Sequence, residues 1–263
     1  NMCCMALQFF DVYRYFGDVE DLRARLPIMQ DTLDFLLAEI VVRTPARWYI
    51  GQIEGADENI ARENDTAHLL PLIKALTDYQ EGCRRLGLPE NAAYAEAIAR
   101  LSRGLRENYR DGVLYPYRGA RGVSTINTAL YSLNMPEGIT AKSLRATLRH
   151  SRGAWGLTND NAGQYPNLVW PWQEVFTAVA FSSIDPALSF RRLRHVLKIT
   201  DTHGLFPEKI RPDGFWIFFG YGSPHAVFVW ALNSVLATDN GRTLTVAAGL
   251  PAAWTDYAFT DIR

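Results

Sequence analysis

Cysteine is scarce in this chain: Cys3, Cys4 and Cys83 are the only three among 263 residues. An odd, sparse set supplies neither a disulfide framework nor the paired spacing of a zinc site. The lack of a disulfide framework leans toward the cytoplasm. Adjacent Cys3 and Cys4 read as small apolar residues on a buried N-terminal helix, because free cysteine packs as a small hydrophobe. Long apolar runs are missing as well. No stretch approaches the roughly eighteen residues of a membrane span, and no secretory leader pattern opens the chain. The sequence begins at Asn1 already inside an apolar stretch, which reads as the interior of a longer gene product. Nor is there a charge excess. A net charge of −1 offers no basic surface for nucleic acid or an anionic membrane. Phosphate-binding glycine loops, the G-x-S-x-G elbow and H-E-x-x-H are absent. The five histidines are scattered, so neither metal nor cofactor is expected.

What the chain does contain is apolar and aromatic. Hydrophobic residues make up 48% and charged residues 21%, a balance that supports a sizeable core and excludes general disorder. Helical periodicity runs through most of the length. The first seventeen residues read as a helix stopped at Gly17. A second helix starts at Asp18 and runs to about Val42, with a break expected at Pro27. A third spans about Asp65 to Leu86, stopped by Gly87 and Pro89. A fourth, rich in Ala, Leu, Glu and Arg, begins near Asn91. Shorter helices are expected at 124–132 and 139–150. Others start at Pro171 and Pro186, both favourable first-turn residues, and an apolar helix follows His225. At the C-terminal end the period changes to two, as in strands. The order is about eight or nine helices, then strands, in pairs suited to an α/α toroid or solenoid.

Three long loops interrupt the helices, at 43–64, 152–169 and 203–224. Loops of that length in a compact domain are usually functional. The first, taken with the helix start that follows it, gathers five carboxylates within twelve positions: Glu54, Asp57, Glu58, Glu63 and Asp65. A solvated loop feeding a helix N-terminus accounts for them, and Asp65 suits an N-cap. The same loop could instead carry a catalytic acid. Trp48, Trp170, Trp172 and Trp216 lie in or beside the three loops, where flat rings would meet the apolar faces of sugars or else join the core. Asn159, Asp160 and Gln164 would contact hydroxyls or simply form turns.

Two of these loops resemble known enzymes. GADENIARENDTAHLL (55–70) is similar to the acid motif of the disaccharide phosphorylases that act on maltose, kojibiose and trehalose. Gly55, Asp57, Glu58 and Ala67 match; Ala56 stands where that family has Pro, and Asp65 and Thr66 stand where it has two Asn. GLFPEKIRPDGFWIFFGYGSPHAVFVWALNSVLA (204–237) resembles the glucoamylase stretch that leads into the last barrel helix. Glu208 stands where glucoamylases hold their general base, and Lys209 replaces the Gln that follows. LTVAAGLPAAWTDYAFTDIR is similar to the β-rich domain after the barrel in the phosphorylases.

The resemblance implies a mainly α protein with an (α/α)6 barrel. Residues 1–240 would form a catalytic domain lacking its first hairpins, since about four of six can be counted. Residues 241–263 would open a C-terminal β-sandwich-like segment. It further implies an inverting glycoside hydrolase acting on an α-glucoside or related oligosaccharide, with Glu58 as acid and Glu208 as base. Glu54 is the other candidate for the acid. Asp57, Trp48, Trp170, Trp172, Trp216 and His225 would bind substrate. The alternatives are an inverting phosphorylase, with Ser223 and His225 holding phosphate at a helix start, and a non-catalytic sugar-binding domain.

Overall fold

The computed structural model describes residues 2–54, 61–120, 137–150, 168–211, 213–217, 220, 222–239, 244–247, 250 and 254. They divide into two units: residues 1–110 with 116–119, and residues 111–115 with 120–262. Both are mainly helical. No helix among the described residues is long and apolar enough to cross a membrane.

The first unit is built on four helices, α1 (Met2–Phe16), α2 (Val19–Glu39), α3 (Thr66–Arg85) and α4 (Ala92–Arg106). Their starts follow from capping chemistry. Asp18 accepts from the Glu20 and Asp21 amides, Asp65 from Ala67, and Asn91 from Ala93 and Tyr94, each satisfying donors that a helix leaves open. Gly17, at φ +67°, closes α1 as expected, and its amide donates to the Tyr13 carbonyl at 2.8 Å. α1 is buried along one face only. Ala6 and Phe10 are enclosed, whereas Tyr15 and Phe16 are exposed. The side chains of Cys3 and Cys4 lie outside the described residues, and Cys83 is buried.

Pro27 does not break α2, which runs unbroken through it. Pro27 is exposed, so water can satisfy the carbonyl that its missing N–H leaves open. On the opposite face Leu22, Leu26, Met29 and Leu33 are buried and hold both halves of the helix to the same core. The helix also stops earlier than its apolar spacing implies. Val41–Arg43 is strand β1, paired antiparallel with β2 (Trp48–Ile50).

The stretch 43–64 is therefore not a plain loop. A second hairpin follows, β3 (Ile53–Glu54) with β4 (Ala61–Arg62). α4 packs on β2 through Gly104, where a Cβ would fall 2.3 Å from the Trp48 carbonyl oxygen. Tyr94 of α4 is buried, with its hydroxyl 2.7 Å from Asp34 Oδ1. Burial and the Asp34 carboxylate push that phenol above the usual tyrosine range. Two-residue strands β5 (Tyr109–Arg110) and β6 (Val113–Leu114) follow α4.

The second unit contains α5 (Glu137–His150), α6 (Pro171–Ser182), α7 (Pro186–Val196) with a 3-10 turn at Leu197–Ile199, and α8 (Gly222–Leu236). Pro171 and Pro186 open their helices as expected. α6 is the central element: it packs on α7 and α8, with Val175, Ala178, Val179, Leu193, Val196, Ala231 and Val235 in a common core. Its Glu174, fully buried, pairs with Arg192 of α7 at 3.3 Å. The stretch 203–224 also holds a hairpin rather than loop alone, β7 (Lys209–Ile210) with β8 (Trp216–Ile217). At the C-terminal end β9 (Ala237–Asp239) pairs antiparallel with β10 (Leu244–Val246). The helix expected at 124–132 lies outside the described residues, as do most of the loop 152–169 and all of residues 255–263.

Candidate active site

The acidic hairpin of the first unit is described at its stem. Residues 55–60, with Asp57 and Glu58, lie outside the described residues, as does the Glu54 side chain. The stem is tied down at several points. Just past β4, Asn64 is fully buried and adopts φ +59°, a conformation asparagine tolerates better than most residues. Its amide N–H donates to the Ile50 carbonyl at 2.8 Å. Its side-chain Nδ2 donates to the Gly104 carbonyl at 2.9 Å and to Asn108 Oδ1 at 3.2 Å. Asn108 Nδ2 returns bonds to the Asn64 carbonyl at 2.8 Å and to Thr66 Oγ1 at 2.7 Å. Around this buried clamp Arg47 and Arg118 each pair with both Glu63 and Glu107. Glu63 and Asp65 thus have structural jobs, one in the ion-pair quartet and the other at the helix cap. Trp48 is half-buried on β2, with the Arg43 guanidinium 4.8 Å from its ring centroid.

The second unit gathers the other candidates around β7. Val169 and Ile210 exchange backbone hydrogen bonds of 3.0 and 2.8 Å, which docks the approach to α6 against the hairpin. That bridge sets Trp170 beside Lys209, whose ammonium lies 4.3 Å from the Trp170 ring centroid. Glu208 sits in the bend ahead of β7. Its amide donates to the Ile217 carbonyl at 3.1 Å, and its carboxylate lies 3.3 Å from Lys209 Nζ. Trp172 meets Trp170 edge-on at 6.2 Å, and Phe176 continues the edge-to-face series to Trp230. The indole Nε1 atoms of Trp170 and Trp172 are both buried without a hydrogen-bond partner among the described residues. Trp216 pairs across the hairpin with Ile210 and is half-buried.

The loop before Glu208 is shaped by its own side chains. Asp201 accepts from the His203 and Leu205 amides, and Gly204 turns at φ +79°. Phe206 is buried against His225 at 4.9 Å and Phe228 at 6.0 Å. His225 Nε2 lies 3.2 Å from the Gly204 carbonyl oxygen. A carbonyl only accepts, so this bond requires the proton on Nε2. His225 thus anchors the loop that carries Glu208. The Ser223 side chain lies outside the described residues, as do Asn159, Asp160 and Gln164.

The structure therefore brings Glu208, Lys209, Trp170, Trp172, Trp216 and His225 together within one unit, and Trp48 belongs to the other. Sequence reading passed over Glu174. Its signal was a carboxylate between two tryptophans and an apolar run, where a charge is buried only with a partner. Among the described residues no cluster of His, Cys, Asp or Glu is placed to hold a metal ion.

No protein-family model matches the chain. No curated protein matches it either. Solved structures do. One, a wild-type glycosidase, is 18% identical with a TM-score of 0.67, over 88% of this chain and 65% of its own. A glutamate-to-alanine form of a glycosidase in complex with glucose gives 0.66 at 18% identity, over the same shares of both chains. A conserved protein from Thermus thermophilus gives 0.58 at 14% identity, over 89% of this chain and 76% of its own. A metal-independent α-mannosidase from Streptococcus pneumoniae, bound to α-1,6-mannobiose, gives 0.58 at 12% identity, over 89% and 68%. The chain spans about two thirds of the length of the first of these, 65%. At such identities the likeness is one of fold: this chain shares a mainly α-helical fold with these solved structures, glycosidases among them.

Proposed function

We propose that this chain carries the catalytic machinery of an inverting glycoside hydrolase acting on an α-glucoside or related oligosaccharide. Glu208 is the general base and Glu58 the general acid. Residues 1–240 are read as part of an (α/α)6 barrel and 241–263 as the opening of a β-rich segment.

The observation that carries this reading is the setting of Glu208. It is a partly enclosed carboxylate, 21% exposed, beside an ammonium, next to a series of aromatic rings, on a loop pinned by Phe206 and His225. A base must be ionised and fixed, and a pyranose needs apolar faces nearby. The shared fold of the glycosidases adds support. In the inverting reaction a protonated carboxyl donates to the glycosidic oxygen as the bond to the anomeric carbon breaks. An ionised carboxylate takes a proton from the water that attacks the opposite face. The two stand roughly 6.5–9.5 Å apart so that the water fits.

The test is a panel of α-linked disaccharides and aryl glycosides with the wild type, Glu208→Gln and Glu58→Gln. Each substitution is expected to remove turnover, with losses of about a thousandfold or more, while the melting temperature holds. Hydrolysis that survives Glu208→Gln would exclude it as the base.

A further inference from the structure

Lys209 is more than a cation near Glu208. Consecutive residues on a regular strand point to opposite faces. Here the two side chains converge, because Glu208 occupies the bend just ahead of β7. Both are about four-fifths enclosed, with 21% of Glu208 and 19% of Lys209 exposed. The ammonium sits between the carboxylate Oε1, at 3.3 Å, and the face of Trp170, 4.3 Å from the ring centroid. A lysine has a flexible four-carbon stem and three rotatable donors, so by itself it fixes a partner poorly. A ring face under the ammonium removes that freedom through cation–π attraction. Trp170 is itself held. The Val169–Ile210 bridge fixes the residue before it, Pro171 opens α6 immediately after, and Trp172 packs edge-on against it. A continuous line of contacts therefore leads from the central helix of this unit to the Glu208 carboxylate.

We infer that Lys209 is a positioning residue for the reaction: seated on Trp170, it holds Glu208 Oε1 and so presents the other carboxylate oxygen to the attacking water. The ring face under the ammonium is then taken, and Trp170 serves the site by orienting Lys209. This inference rests on the reading of Glu208 as base.

Lys209→Met, Lys209→Gln, Lys209→Arg, Trp170→Leu and the Lys209→Met/Trp170→Leu double variant test it in the full chain. The readouts are kcat, KM and melting temperature on whichever glycoside of the panel the wild type cleaves. Lys209→Met and Lys209→Gln should lower kcat about tenfold or more with KM nearly unchanged, the pattern of an interaction used only in the transition state. Lys209→Arg, which keeps a cation able to lie on the ring, should recover most of that loss. The double variant should be no slower than the slower single one, because both changes break the same line. Wild-type kcat in Lys209→Met overturns the inference. So does a loss of kcat that tracks melting temperature and is not recovered by Arg, or a double variant whose losses multiply. The base reading fails differently. If Glu208→Gln stays active, that reading falls. If Glu208→Gln is dead and Lys209→Met turns over normally, only the positioning role falls.

Discussion

At the scale of single residues, polar groups in this chain are placed where burial makes their state matter. His195 of α7 shows this. Its Nδ1 is buried with no hydrogen-bond partner among the described residues. Loss of hydration, then the charges of Lys198 and Arg192, hold its pKa below the ordinary 6.5. The sign of the consequence follows from linkage. Below pH 6.5 the unfolded chain binds a proton at this site that the folded chain refuses, so stability falls as pH drops through that window and is fully present above it. The urea midpoint of the wild type should decline between pH 7 and pH 5 more steeply than that of His195→Gln. Parallel declines in the two proteins would remove His195 as a cause. The Glu208–Lys209 contact belongs to the same scale. It is a pairing of neighbours in sequence whose value depends on a ring delivered from another segment.

At the scale of elements, close approach decides what each position accepts. α4 meets β2 at Gly104, where the chain has no side chain and the Trp48 carbonyl fills the space. Gly104→Ala would set a methyl 2.3 Å from that oxygen, and backbone cannot give way as a flexible side chain can. The intrinsic helix preference favours Ala by about 1 kcal/mol, yet overpacking typically costs about 1–3 kcal/mol, and the Asn64 bond to the Gly104 carbonyl is strained with it. Gly104→Ala is expected to destabilise, read as a lower urea midpoint with an unchanged slope. A stabilised variant would contradict this account of the packing.

The same scale explains what sequence could and could not reveal. The helices were legible because their signals are local. Asp18, Asp65 and Asn91 cap, Gly17 stops, and Pro171 and Pro186 start. The hairpins β1–β2, β3–β4 and β7–β8 were not legible, because strands of two or three residues are too short for any alternation to register. Pro27 misled because its cost depends on whether water reaches the carbonyl it leaves open, and burial is a tertiary fact. In the site, Glu208 was singled out only through the likeness of its loop to that of the glucoamylases. The seat of Lys209 on Trp170 was not legible, since it arises from the pairing of Val169 with Ile210 across distant segments. The contact of His225 with the Gly204 carbonyl was not legible either, because it appears only once the loop has folded.

At the scale of the whole molecule, two helical units share the fold of solved glycosidases at identities too low for family assignment. One unit carries the clamped acidic hairpin and the other the Glu208 loop. The proposed reaction couples protonation of a leaving oxygen to activation of a water on the opposite face. Such a coupling fixes the stereochemistry of the product, because attack from the far side inverts the anomeric carbon. The most direct measurement is proton NMR of the first sugar released from an α-linked substrate, recorded before mutarotation and in phosphate buffer. The account predicts the free β-anomer as the initial product; an initial α-anomer, or a sugar phosphate in its place, would contradict it.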